Sequence, residues 1–202
     1  MNEHIRTLLN DFPELESTSS EIESAFQAMC ECYRNGGKML LCGNGGSAAD
    51  CEHWSGELLK GFRKARPLPD KWKNKLPPLL AGSLQEGLPA IPLPAFMSLN
   101  TAVANDISAE LVFAQSVWAL GKPGDILVGI STSGNAKNVC AAVQAAGVKQ
   151  MVTIGLTGQQ GGRLGELAEV LIRAPATEVH RVQQYHLPIY HCLCLMLEDE
   201  FF

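Results

Sequence analysis

The side chains best able to do chemistry stand in three places along the chain. His53 and Glu57 are four apart in "SAADCEHWSGELL", a spacing that puts an imidazole and a carboxylate on one face of a helix. Such a pair can share a metal ion or pass a proton; read alone, it is equally an ordinary solvated pair. Ser131, Thr132 and Ser133 follow the apolar run "DILVGI" and precede Gly134 and Asn135. Hydroxyls and free backbone N–H groups gathered at a helix start form a neutral cradle for a dianionic phosphate, assisted by the helix dipole. Gln183, His186 and His191 lie among apolar residues near the carboxyl end, where a histidine is ordinarily a satisfied core or interface group.

A glycine loop precedes the His53–Glu57 pair. Gly43, Gly45 and Ala48 satisfy the loose dinucleotide pattern G-x-G-x-x-G/A. A dinucleotide also needs an acidic residue at the end of the next strand, ~20 positions on, to hold the ribose. That region is rich in proline and lysine here, and Asp70, in "PLPDKWK", does not end a strand. The glycine loop and the serine loop together therefore point to a smaller phosphate ester.

The elements that hold these groups alternate. Ile22, Phe26, Met29, Cys30 and Tyr33 recur at helical spacing before Gly36 and Gly37. "KMLLC", "LPAIPLPA", "DILVGI", "MVTIGLTG" and "EVLIRAP" predict strands. Helices are predicted from Ser47 onward, over "SLNTAVAND" and "AELVFAQSVWALG", from the serine loop to about Ala146, and over 178–200. This is the pattern of an α/β fold, a parallel sheet flanked by helices on both faces in a three-layer αβα, flavodoxin- or Rossmann-like arrangement. Residues 63–87, with their prolines and "DKWKNKLPP", predict a surface insertion carrying a short helix. The basic residues of 60–75 read as a solvated face, or else as a local attraction for an anionic ligand.

The 202 residues, 46% of them apolar, suit one domain, and the net charge of −5 argues against nucleic acid as a partner. No apolar stretch reaches the ~20 residues a bilayer requires, and "MNEHIRTLLNDF", with charges of both signs and no apolar run, leads us to expect an unexported protein. A cytoplasmic protein without a membrane partner is expected. The seven cysteines form no C-x-x-C pair, and in a C-x-C pair on a helix the thiols diverge, so reduced thiols rather than a metal clip are expected.

Taken together, "CGNGGSAAD" with the following His53 and Glu57, "ISTSGN" and "RVQQYHLPIYHCLC" resemble the sugar isomerase (SIS) family, specifically its phosphoheptose isomerases. The resemblance covers nearly the whole chain, 1–202, apart from the insertion. It implies a cytoplasmic aldose–ketose isomerase that converts D-sedoheptulose 7-phosphate to D-glycero-D-manno-heptose 7-phosphate through a metal-assisted enediol, with one Zn2+ per subunit in a homotetramer. It implies further that His53, Glu57, Gln183 and His191 hold the zinc ion, with Glu57 and His191 as base and acid. Asn44, Gly45, Gly46, Ser47, Asn105 and Asp106 are then expected on the sugar, as are Glu57 and Gln183. Ser131, Thr132, Ser133 and the backbone of Ala136 are expected on the phosphate.

Gln183 and His191 are eight residues apart, or roughly 12 Å along a helix at 1.5 Å per residue. They reach one ion by leaning together or by coming from two copies, which predicts a homo-oligomer with sites near subunit interfaces. Three positions depart from the family pattern. Ala136 replaces a common serine, "LKGFRK" replaces "GRF" and leaves Lys60 and Arg63 as substitutes, and His180 stands where an acidic residue is common. Two rival readings keep the fold: a non-catalytic SIS module similar to those that bind the bacterial replication initiator, and an isomerase of another sugar phosphate.

Overall fold

In the computed structural model, which describes residues 2–202, the apolar runs form five strands: β1 (Met39–Gly43), β2 (Ala90–Pro92), β3 (Ile126–Ser131), β4 (Val152–Thr157) and β5 (Val170–Arg173). All pair in parallel, in the order β2-β1-β3-β4-β5. β1 and β3 are buried along their whole length, as strands covered on both faces must be. Their alternation divides the core. Met39 and Leu41 join one apolar cluster, and Leu40 and Cys42 join the other.

The first cluster is packed by α1 (Glu3–Asp11), α2 (Ser19–Arg34), α3 (Gly46–Leu59) and α10 (Val179–Phe201). The second is packed by α6 (Met97–Val103), α7 (Val112–Leu120), α8 (Lys137–Val148) and α9 (Leu164–Leu167). The chain leaves β1 toward β2 on one side and returns to place β3 on the other. Strand order therefore reverses at β1/β3, and such a switch point opens a crevice at the carboxyl ends of the strands. The register pairs Gly43 with Ile130, so the glycine loop after β1 and the serine loop after β3 emerge side by side.

α3 and α10 run side by side in the same direction. Gln183 packs on Gly46, the Tyr190 ring stacks on Trp54 at 5.4 Å, and Glu198 meets the chain just past the end of α3. Each side chain of α10 is thereby brought to a definite level of α3.

Several expectations change in detail. α1 has no counterpart in the sequence reading, because its charged residues hide an apolar face carried by the buried Ile5 and Leu8. The strand expected over "LPAIPLPA" is only three residues long. Asn105 and Asp106 sit in a π turn, Ala104–Ser108, between α6 and α7. Residues 63–87 carry two short helices, α4 (Asp70–Lys73) and α5 (Pro78–Ser83), closed by a bridge between Pro67 and Gln85.

The solvated basic face fails at Arg66, which is buried. Its guanidinium lies 2.8 Å from the Glu198 carboxylate and donates to the Leu58 carbonyl at 2.8 Å. Glu198, also buried, accepts from the backbone N–H groups of Phe62, Arg63 and Lys64 at 2.8–2.9 Å. Burial pushes the Glu198 carboxyl up, but these N–H groups and Arg66 outweigh it and hold the group below the usual carboxylate range.

Candidate active site

The serine loop is shaped by its backbone before any ligand enters. Gly134 has φ of +69°, and a Cβ there would strike the Gly161 carbonyl, so glycine is required on both counts. Ser131 Oγ accepts from the Ala136 N–H at 3.4 Å, and Ser133 Oγ accepts from the Asn135 N–H at 3.2 Å. Asn135 Oδ1 accepts from the Arg163 N–H at 2.9 Å, tying the loop to the segment after β4. Thr132 and Ser133 line a cleft of about 160 Å³ with Gly158, Gln159, Ala176 and Thr177, at the carboxyl ends of β3, β4 and β5.

The two loops are joined. The side-chain amides of Asn44 and Asn138 exchange hydrogen bonds of 2.9 Å in both directions. Gly45 and Gly46 open α3, and a Cβ on Gly46 would collide with the Gln183 amide. The glycine is what lets α10 approach the loop. Ser47 is buried in the first turn of α3.

Farther along α3, His53 Nε2 faces Glu57 Oε1 at 3.2 Å, and Glu57 Oε2 lies 3.7 Å from Lys60 Nζ. The His191 ring of α10 packs edge-on to His53 at 5.1 Å and against Phe62 at 5.2 Å. His191 Nε2 is buried and has no hydrogen-bond partner. Burial pushes the His191 imidazole below its usual range, the nearby His53 adds to this, and Glu57 opposes it. His191 lines a recess of about 440 Å³ between α1 and α10 that also contains Arg63.

Two groups behind this cluster were not singled out in the sequence. The Tyr190 hydroxyl lies 2.9 Å from His53 Nδ1 and 3.4 Å from Asp50 Oδ1. Burial pushes up both the Tyr190 phenol and the Asp50 carboxyl. Asp50 was findable, being three residues before His53 and so on the same helical face. Tyr190 had no comparable signal, because its partner lies 137 positions away.

Most of the expected residues are thus placed in two groups within one chain. The loop group holds Asn44, Gly45, Gly46, Ser47, Gln183, Ser131, Thr132, Ser133 and Ala136. The helical group holds His53, Glu57 and His191. Gln183 belongs with the loops because it packs at Gly46, seven residues before His53, or roughly 10 Å along the helix. Asn105 and Asp106 join neither group: they are exposed and bond to each other at 2.8 Å.

Imidazole nitrogen and carboxylate oxygen are zinc donors, and the orphaned His191 Nε2 beside the His53–Glu57 pair fits such a group. The donors match in kind and neighbourhood rather than as a closed cage. Among the described residues no three His, Cys, Asp or Glu side chains stand together as a set that could hold a metal ion.

A doubly wound α/β domain with two polar loops at its switch point, and an imidazole–carboxylate cluster on the helices behind them, is the class defined by fold and site. The SIS domain family model matches residues 2–72 and 81–158. The phosphoheptose isomerase of Chromohalobacter salexigens is 41% identical over 184 residues, 90% of this chain and 84% of that protein. The one from Shewanella frigidimarina is 41% identical over 182 residues, 89% of this chain and 83% of that protein. The solved phosphoheptose isomerase GmhA of Neisseria gonorrhoeae superposes with a TM-score of 0.78 at 34% identity, over 97% of this chain and 95% of that one. That of Francisella tularensis gives 0.80 at 32% identity, over 94% and 91%. The chain belongs to the SIS domain family and, within it, to the phosphoheptose isomerases.

Proposed function

We propose that this isomerase interconverts D-sedoheptulose 7-phosphate and D-glycero-D-manno-heptose 7-phosphate. The observation that carries the reading is the meeting of His53, Glu57 and His191 on two adjacent helices whose neighbouring loops form a phosphate cradle. The serine loop, with its hydroxyls and the backbone N–H groups up to Ala136, receives the phosphate at the start of α8. Asn44 and the glycine backbone order the sugar, and Asp106 with Asn105 reaches it from a second copy of the chain.

Glu57 removes a proton from C1 of the ketose and returns it to C2, passing through an enediol. His191 donates a proton to the O2 carbonyl and takes one from O1. Where His191 serves as a ligand instead of as the acid, a zinc ion held by His53, Glu57 and His191, with Gln183 as a further donor, would polarise the carbonyl and stabilise the enediolate charge in place of that proton transfer. The separation of Gln183 from the other three within one chain supports a homotetramer whose sites lie at subunit contacts.

The enzyme works in the cytoplasm. All seven cysteines are free and buried, in keeping with a reducing compartment, and no described helix is long and apolar enough to cross a membrane.

The test is a panel of phosphosugars incubated with purified, zinc-supplemented protein. Aldose formation from sedoheptulose 7-phosphate in preference to hexose and pentose phosphates is expected. Turnover of a different ketose phosphate would reassign the substrate, and no turnover of any member would overturn the reading.

A further inference from the structure

The insertion at 63–87 has a fixed base. The Pro67–Gln85 bridge closes it, the Glu86 N–H donates to the Arg66 carbonyl at 2.7 Å, and Gln85 Oε1 accepts from the Gly61 N–H at 3.0 Å. Against the end of α10 it forms an apolar groove of about 680 Å³, walled by Leu68, Trp72, Leu76, Leu88, Phe201 and Phe202. On the same insertion α5 packs on α4 and buries none of its own residues. Leu79 is 76% exposed there, and Leu80 and Leu84 are exposed as well. An apolar hollow and an apolar projection thus stand close together in water, the kind of surface that marks a contact between molecules.

The groove also carries charge of both signs, Lys75 and Glu86. Neither belongs to an ion pair among the described residues; Lys75 Nζ rests instead 5.1 Å from the centre of the Trp72 ring. Hollow with projection and cation with anion make the surface complementary to itself. In a two-fold contact each residue meets its opposite number twice over, so one partner, a second copy of the chain, satisfies all four features together. The SIS domain match breaks off at residue 72 and resumes at 81, so Lys75, Leu76, Leu79 and Leu80 lie outside the shared pattern.

We propose that the insertion is a self-association surface: Leu79 and Leu80 of each copy enter the groove of the other, and Lys75 of each meets Glu86 of the other. The inference deepens the homotetramer reading above, supplying one of the two distinct two-fold contacts that a tetramer built from dimers requires.

The experiment is sedimentation of the full chain as wild type, Leu79→Asp, Lys75→Glu and Glu86→Lys, with far-ultraviolet spectra to show that each is folded. The wild type is expected as a tetramer. Leu79→Asp is expected to weaken assembly on the order of 30-fold or more, the loss of a buried apolar anchor, and to sediment as a dimer. Each charge variant alone sets like charges against each other and is expected to weaken assembly on the order of tenfold or more. An equal mixture of the two charge variants is expected to reassemble, because one copy then offers two anions and the other two cations. Pairing of Lys75 with Glu86 inside one chain predicts no such recovery. A tetrameric wild type with a folded Leu79→Asp that also stays tetrameric overturns the proposal and gives the groove to a small apolar ligand or another protein, leaving the tetramer standing. Charge variants that gain nothing on mixing overturn the pairing as well. A monomeric wild type overturns the tetramer reading and this proposal with it.

Discussion

Glu57 is the side chain on which the proposed chemistry depends most, and it is a safe one to change. Its carboxylate is partly exposed and pairs only with His53 and Lys60, so its loss leaves no buried group unpaired. Glu57→Gln should lower kcat by roughly 10²- to 10⁴-fold, the range of a general base, with the melting temperature unchanged. Steady-state rates and a thermal melt on the same preparation check both halves. His186 gives the opposite kind of prediction. It is fully buried, its Nε2 lies 3.2 Å from the Thr157 carbonyl, and burial pushes its pKa down to about 4. An unfolded histidine titrates near 6.5, so between about pH 6.5 and 4 the unfolded chain holds a proton the native one refuses. The stability this group contributes is complete above that window and is lost as pH falls through it, by roughly 3 kcal/mol at most. Urea unfolding from pH 7 to 4 should show this decline, and His186→Gln should flatten it. At this scale the sequence revealed what local spacing carries. The four-residue step from His53 to Glu57 was readable, whereas Tyr190 became visible only when α10 was laid against α3.

Arg66 shows where reading a segment from its composition fails. In a run of lysines and prolines a basic side chain reads as solvated, yet this one is held by Glu198, 132 positions away. The pair ties the insertion to α10 and caps the Leu58 carbonyl at the end of α3, so it bears on the helix that carries Glu57. Removing Arg66 takes the cation away from a buried carboxylate and leaves it the three backbone N–H donors of Phe62, Arg63 and Lys64. Arg66→Leu should therefore destabilise by about 3–5 kcal/mol, and Glu198→Leu, which also orphans those N–H groups, should cost less in that background than in the wild type. Urea unfolding of the single and double variants checks both, and an additive pair of losses would sink the coupling. The strands were legible throughout because a buried parallel strand is a continuous apolar run bounded by glycine or proline. The helix α1 was not, since nine residues with charges of both signs do not announce which face is covered.

Taken as one object, the chain holds Asn105 and Asp106 apart from the other candidate residues and leaves an apolar surface uncovered. Met97 is 76% exposed, Ile107 62% and Trp118 57%, and they sit on α6, the π turn after it and α7, which pack on one another. A surface of this kind marks a contact between molecules more often than it faces water. Asn105 and Asp106 lie in the same turn, so a copy of the chain seated on Ile107 would meet that amide and carboxylate. On the proposed tetramer, burial of the patch and the approach of Asp106 to the sugar of a neighbouring chain would be one event. Ile107→Asp introduces a charge at the centre of that patch without touching any proposed ligand. The wild type should sediment as a tetramer and the variant as smaller species, with activity falling in proportion to the tetramer lost and helical content unchanged. A wild type that is monomeric and fully active, or a variant that dissociates while keeping full kcat, would show that one chain holds the complete site.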